Sequence, residues 1–317
     1  MNQQIKARTN LHGLLLVDKS SGMTSHDVVS RIRKIAKTKE VGHTGTLDPL
    51  ASGLMVVLLG EATKLSSIVT EGDKSYLVEL CLGIETDTLD ITGQIIKQSS
   101  VNLAPEFVID TALTLSGDFV LPVPLYSAKK IDGRKLYEYA REGLEIQIPT
   151  KTMSFWGVEN KSEPNQIKEN KYSFQINCSK GSFIRSWVRL LGENLGCGAA
   201  MTALRRTSSH HFNLENAMSL ESLSEQVLKD DFKVEKRLLP IVDAIHGVKV
   251  VKVSGHDEVL LKNGQISHDL RSKLIVVFNP DRDQWVFAVS KENKGQVLAI
   301  IGVEPGHGFK IKRGFKY

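Results

Sequence analysis

The most constraining stretch of the 317-residue chain is Gly42-His43-Thr44-Gly45-Thr46-Leu47-Asp48-Pro49-Leu50-Ala51-Ser52-Gly53, which runs straight into Leu54-Met55-Val56-Val57-Leu58-Leu59 and Gly60. Six consecutive apolar residues, β-branched at the centre and closed by glycine, read as a buried strand. A loop that feeds such a strand must itself enter the core. This one carries a histidine, an aspartate and two threonines, and its glycines at 42, 45 and 53 let backbone approach a ligand closely. Two readings of Asp48 are open at this point: a carboxylate serving an Asx turn before Pro49, or a reactive group.

The flanking chain alternates helix and strand signals. Thr24 and Ser25 offer N-caps, with Asp27 in the first turn. Val28, Val29, Ile32, Ile35 and Ala36 then recur at helical spacing, with Arg31, Arg33, Lys34 and Lys37 opposite them. Residues 61–69 suit a short helix. Tyr76, Val78, Leu80 and Leu82 alternate along one side of a predicted strand, as do Tyr172, Phe174, Ile176 and Cys178. After a turn at Ser179-Lys180-Gly181, a predicted helix puts Ile184, Trp187, Val188 and Leu191 on its core face, which sets Arg185 and Arg189 on the side away from the core. Residues 215–235 are acidic and predict helix. Beyond Leu238-Leu239-Pro240, short strands are expected at 248–253, 272–278, 285–289, 296–303 and 309–312, a small second domain of β-barrel type.

Several function classes lack their devices. There is no Gly-x-x-x-x-Gly-Lys-Ser/Thr phosphate loop, no His-Glu-x-x-His pair and no Gly-x-Ser-x-Gly elbow. Cys81, Cys178 and Cys197 are odd in number and widely separated, so reduced thiols in or near the core are expected. His210 and His211 are adjacent and read as surface residues. The longest apolar run is the six residues from Leu54, far below the roughly 20 of a membrane-spanning helix. No signal peptide precedes Leu11, so a flexible N-terminus at 1–10 and a cytoplasmic protein are expected. The net charge of +5 gathers in runs, five of the nine residues from Arg31 to Lys39 and four between Lys129 and Lys135, with Lys310, Lys312, Arg313 and Lys316 near the end. Each run suits either a solvated face or an extended polyanion.

Five segments settle which reading to carry forward: GLLLVDKSSGMTSHDVV, VGHTGTLDPLASGLMVVLLGEATKL, DKSYLVELCLG with ETDTLDITGQI, LYSAKKIDGRKLYEYAREG, and CSKGSFIRSWVRLLGENLG with ALRR. In this order and spacing, from about Leu11 to Pro240, the chain resembles the bacterial tRNA pseudouridine-55 synthase family. The resemblance implies an α+β fold, with a mixed, mainly antiparallel sheet of the pseudouridine synthase type over 11–245 and a small PUA-like RNA-binding domain over 246–317. It implies isomerisation of uridine-55 in the T-loop of tRNA after the base is flipped out, with no cofactor and no metal. Asp48 matches the family's catalytic aspartate, and Arg185 the arginine that holds its charge. Tyr76 matches the active-site tyrosine, whose ring stacks on the base and whose hydroxyl is placed for proton transfer. His43 matches the residue that contacts displaced nucleotides, and Phe183 and Leu204 the apolar walls of the base pocket. Basic residues 31–37, Lys129, Lys130, Arg205 and Arg206 would meet phosphates of the T-arm. The chain departs from the family at Lys19-Ser20, where Lys-Pro is usual, at Val123 for a common proline, and at Phe183 for a tyrosine.

A monomer is expected, since no segment advertises a dimer seam. Two other readings compete. One is a non-catalytic protein gripping the T-arm through the same basic surface; the other is a metal-dependent nuclease built from Asp48, Asp87 and Asp90.

Overall fold

A computed structural model describes residues 11–227, 234–293 and 295–317. The expected flexible segment 1–10 and part of the expected helix at 215–235 lie outside the described residues. The chain opens with β1 (Gly13–Lys19), α1 (Ser25–Ile35), β2 (Val41–His43) and β3 (Ser52–Leu59). Thr24 caps α1 reciprocally with Asp27, and Val28, Val29 and Ile32 are buried beneath the helix. Strands β1 and β3 pair antiparallel along their length, from Gly13 opposite Leu59 to Lys19 opposite Gly53. Because both faces of this pair are covered, β3 tolerates apolar residues at every position from Leu54 to Leu59.

The sheet continues with β4 (Lys74–Leu82), β5 (Gly117–Pro122), β6 (Thr150–Asn160) and β7 (Lys171–Cys178). After α2 (Ile184–Leu195) come β8 (Ala199–Ser209), β9 (Met218–Ser219) and α3 (Leu220–Val227). The sheet path is β9-β1-β3-β8-β4-β7-β6-β5, with β2 pairing β3. All pairs between β8 and β5 are antiparallel. The join between β3 and β8 is parallel and only two residues deep, Arg205 opposite Ser52 and Arg206 opposite Gly53. The expected short helix at 61–69 forms as a 3-10 turn at Gly60–Leu65 followed by Ser66–Val69.

The C-terminal unit is a four-stranded sheet of β10 (Lys249–Val253), β11 (Val286–Ser290), β12 (Val297–Glu304) and β13 (Gly308–Gly314), paired in that order. Between β10 and β11 lie α4 (His256–Lys262) and α5 (His268–Val277). Helix α5 corrects the expected strand at 272–278. Leu270 and Leu274, four apart, are buried, whereas Val276 is 86% exposed, a helical rather than an alternating pattern. One face of this sheet packs on α4 and α5 through Val251, Val286, Leu261 and Leu274. The other shares a core with the first domain: Leu14, Leu54, Val56 and Leu58 join Phe287, Val297, Ile300 and Phe315.

Candidate active site

The loop between β2 and β3 is fastened to its surroundings at several points. The Thr44 amide donates to the Val56 carbonyl at 3.1 Å, and Gly22 donates to the carbonyl of Pro49 at 2.8 Å. The buried Ser25 hydroxyl, on the first turn of α1, accepts from the Leu47 amide at 2.8 Å and donates to the Leu47 carbonyl at 3.1 Å. Leu47 is itself buried in the main core. Asp48, the next residue, is thereby set at the edge of the apolar interior, its side chain 34% exposed. Its carboxylate is open to solvent on one side rather than sealed in a dry pocket.

On its other side lies Arg185. The guanidinium is only 4% exposed and places Nη2 3.0 Å from Oδ2 of Asp48. It also donates through Nη1 to the Thr88 carbonyl and through Nη2 to the Tyr126 carbonyl, each at 2.9 Å. This overturns the expectation that Arg185 and Arg189 share an outer face of α2. Only Arg189 does so, pairing with Glu193. The side of α2 that carries Arg185 is roofed by the segments around Thr88 and Tyr126, so the helix is covered on more than its apolar stripe. A buried guanidinium with three oxygen partners gives the Asp48 carboxylate a charge-assisted contact that fixes its orientation.

Tyr76 and Leu204 project from adjacent strands. In the β4–β8 pairing, Leu204 lies opposite Val78 and Arg206 opposite Tyr76, so residues of like parity share one face. Tyr76 is half-buried against the main core, as is Phe183, the residue that precedes α2. Burial pushes the Tyr76 phenol above its ordinary range, with the Arg206 guanidinium pulling the other way; the group is a protonated hydroxyl at neutral pH. His43 is half-buried at the end of β2, its Nδ1 accepting from the Gly45 amide at 3.3 Å. Burial and the nearby Arg206 both lower the imidazole, which is therefore neutral.

Two residues of this site escaped the sequence reading. Lys19 is fully buried and donates to the carbonyls of Met23 at 2.7 Å and Ser20 at 3.2 Å. Burial pushes its ammonium down to about 8, against the pull of the Asp48 carboxylate. Arg206, expected on phosphates, is only 2% exposed and donates into the protein, to the carbonyls of Leu54 at 2.6 Å and Gly45 at 3.2 Å. Its inward direction was available from alternation with Leu204 two residues earlier. Arg205 does face outward, paired with Asp18 at 2.7 Å. His210 and His211 are likewise half-buried rather than on the surface, their rings tilted against each other, with His211 also tilted against His246.

The convergence needed for a nuclease is not formed. Asp87 accepts from the Gln94 amide and Asp90 from the Thr92 amide, each within its own turn. Among the described residues no three His, Cys, Asp or Glu side chains gather as a metal site.

The fold resembles two solved assemblies. A chain of a Cbf5-Nop10-Gar1 complex superposes with a TM-score of 0.70 at 20% identity, over 96% of this chain and 85% of that one. A chain of an H/ACA RNP bound to a substrate RNA containing 2'-deoxyuridine gives 0.68 at 18%, over 100% and 93%. At these identities the likeness is one of fold alone. The class comes from the sequence, and it is that of the pseudouridine synthases. The family model for the N-terminal domain of TruB family pseudouridylate synthases matches residues 33–184, and that for the tRNA pseudouridylate synthase B C-terminal domain matches 185–246. The chain is 49% identical over 311 residues to tRNA pseudouridine synthase B of Bdellovibrio bacteriovorus, covering 98% of this chain and 99% of the relative. It is 41% identical over 257 residues to that of Alkaliphilus oremlandii, covering 81% and 83%. The chain belongs to the TruB family of pseudouridylate synthases.

Proposed function

We propose that the chain isomerises uridine-55 in the T-loop of tRNA to pseudouridine, with Asp48 as the catalytic carboxylate. The observation that carries this reading is the Asp48–Arg185 pair, a half-open carboxylate on a buried guanidinium, with the Tyr76 phenol near enough to feel the Asp48 charge and Tyr76, Leu204 and Phe183 packed on the same apolar core. In the reaction the N1–C1′ bond breaks, a C5–C1′ bond forms, the hydrogen on C5 is lost and N1 gains a proton. Nothing is oxidised or reduced, so side chains that add, leave and move protons suffice. Asp48 supplies the carboxylate that adds or takes a proton. Tyr76 supplies a ring for the base to stack on and a hydroxyl for the C5 proton, and Leu204 and Phe183 exclude water. A uridine inside a folded T-loop reaches this wall only after leaving its stack, at a cost of a few kcal/mol. His43, neutral and at the rim, would meet the nucleotides displaced with it. The exposed Lys129 and Lys130, with the cationic side of α1, would grip phosphates. On this reading residues 246–317 form a separate domain holding another part of the same tRNA, and the enzyme works as a monomer.

The test is tritium release from a T-arm RNA labelled at C5 of its uridine, with wild type and Asp48→Asn compared. Release by wild type and none by the variant is expected, with RNA binding intact in both. Binding without release by wild type would leave only the non-catalytic reading. Equal release by both proteins would remove Asp48 from its role.

A further inference from the structure

We propose that Arg206 is a positioning residue that sets the Asp48 loop at a fixed distance from Tyr76. The proposal rests on the reading of Asp48 given above. Asp48 and Tyr76 belong to different elements, the β2–β3 loop and β4, and the strand that separates them in the sheet is β8. That strand meets β3 only through Arg205 and Arg206. At this narrow seam Arg206 lies opposite Gly53 on one side and Tyr76 on the other.

Its side chain runs back under the loop. Nε donates to the Leu54 carbonyl at 2.6 Å and Nη2 to the Gly45 carbonyl at 3.2 Å. These two acceptors bracket Asp48 in sequence, one before it and one after, so a single planar group ties both limbs of the loop. The packing is close enough to need glycine at one limb and brings the other into van der Waals contact. A Cβ on Gly53, whose φ is +100°, would lie 2.4 Å from the Arg206 carbonyl oxygen, and one on Gly45 would reach Nη1 at 3.4 Å. Among the described residues no carboxylate lies within ion-pair distance of Arg206, so loop carbonyls hold the buried charge rather than a counter-ion. The guanidinium also lies beside the Tyr76 phenol and opposes the upward push of burial on it. A rigid fork with separated donors can serve loop and tyrosine together, whereas a lysine ammonium directs its three donors from a single atom and cannot span the two limbs.

The experiment compares full-length wild type, Arg206→Lys and Arg206→Ala, with Asp48→Asn as reference. It measures single-turnover tritium release at saturating T-arm RNA, the RNA dissociation constant at two salt concentrations, and the melting temperature. A displacement of the loop of about 1 Å is expected to slow Arg206→Ala by about 100-fold. Its affinity and salt slope should match wild type. Arg206→Lys should also be slowed, by about 10-fold or more, and added ethylguanidinium should restore part of the rate to Arg206→Ala but none to Asp48→Asn.

Weaker binding with a shallower salt slope and a normal saturated rate would make Arg206 a phosphate contact and overturn the proposal. A wild-type rate in both variants would overturn it as well. Should Arg206→Ala not fold, Arg206→Lys decides: a folded lysine variant at full rate sinks the proposal, and a folded but slow one supports it. Release by Asp48→Asn at the wild-type rate is a different result, the failure of the reading on which this one stands.

Discussion

An ammonium group without exposed surface lies near enough to Asp48 to feel its charge, and its titration can be read in stability. Lys19 has a folded-state pKa of about 8, below the 10.5 of a free lysine, so between these values the unfolded chain binds more protons than the folded one. Its contribution to stability is therefore complete above pH 10.5 and is lost as pH falls toward 8. Urea midpoints measured at pH 8, 9 and 10 for wild type and Lys19→Met should show the wild type gaining on the variant as pH rises. Parallel curves would contradict the assignment. At this scale the sequence was informative about identity and less so about surroundings. Asp48, Tyr76, Leu204 and Phe183 became candidates through the family resemblance of their segments, not through spacing alone. The burial of Arg185 was not legible, because a helical stripe marks the side facing the main core and says nothing of a turn laid over the flank. Arg206 was obscured by its neighbour. In a strand two adjacent arginines face opposite ways, and only Arg205 is free to meet solvent.

Elements with a sustained period were legible in the sequence, and short apolar runs were not. The alternation in β4 and β7 and the stripe on α1 each extend far enough to select one geometry. The run Leu274-Ile275-Val276-Val277 suits strand or helix equally, and its environment decides for helix. Ser267 caps α5 by accepting from the Leu270 amide at 2.9 Å, while its hydroxyl donates to Asp257. Asp257 is also paired with Lys273 at 2.8 Å, so the start of α5 is pinned to α4. Ser267→Ala should cost about 1 kcal/mol for the lost cap, measured as a lower urea midpoint, with tritium release unchanged. A midpoint equal to wild type would show that the cap contributes nothing here.

At the scale of the molecule, the link between the two sheets passes a histidine cluster. His211 Nε2 lies 2.8 Å from the Asp243 carbonyl, which can only accept, so Nε2 carries the hydrogen and Nδ1 is bare. That Nδ1 is buried without a partner among the described residues, and the rings of His210 and His246 stand 5.4 and 5.5 Å away. Burial lowers both His210 and His211, and each also feels a neighbouring histidine. Lys74 adds to this on His210, while Asp73 and Asp243 act in the opposite sense. Groups lowered on folding give stability that is full above the unfolded value of about 6.5 and is lost as pH drops below it. Wild type should therefore lose more stability than His211→Gln between pH 7.5 and 5.5, and equal losses would sink the idea. Beyond this cluster the chain's end is buttoned to its beginning. Lys64 donates to the Gly314 carbonyl, the Lys316 amide donates to Glu61, and Tyr317 stands edge-on to His12. With Phe315 set into a core that Leu14 and Leu54 share, the C-terminal sheet is a jaw of a caliper rather than a weight on a string. The spacing between β13 and the Asp48 loop is thereby set by that shared core and not by a flexible tether.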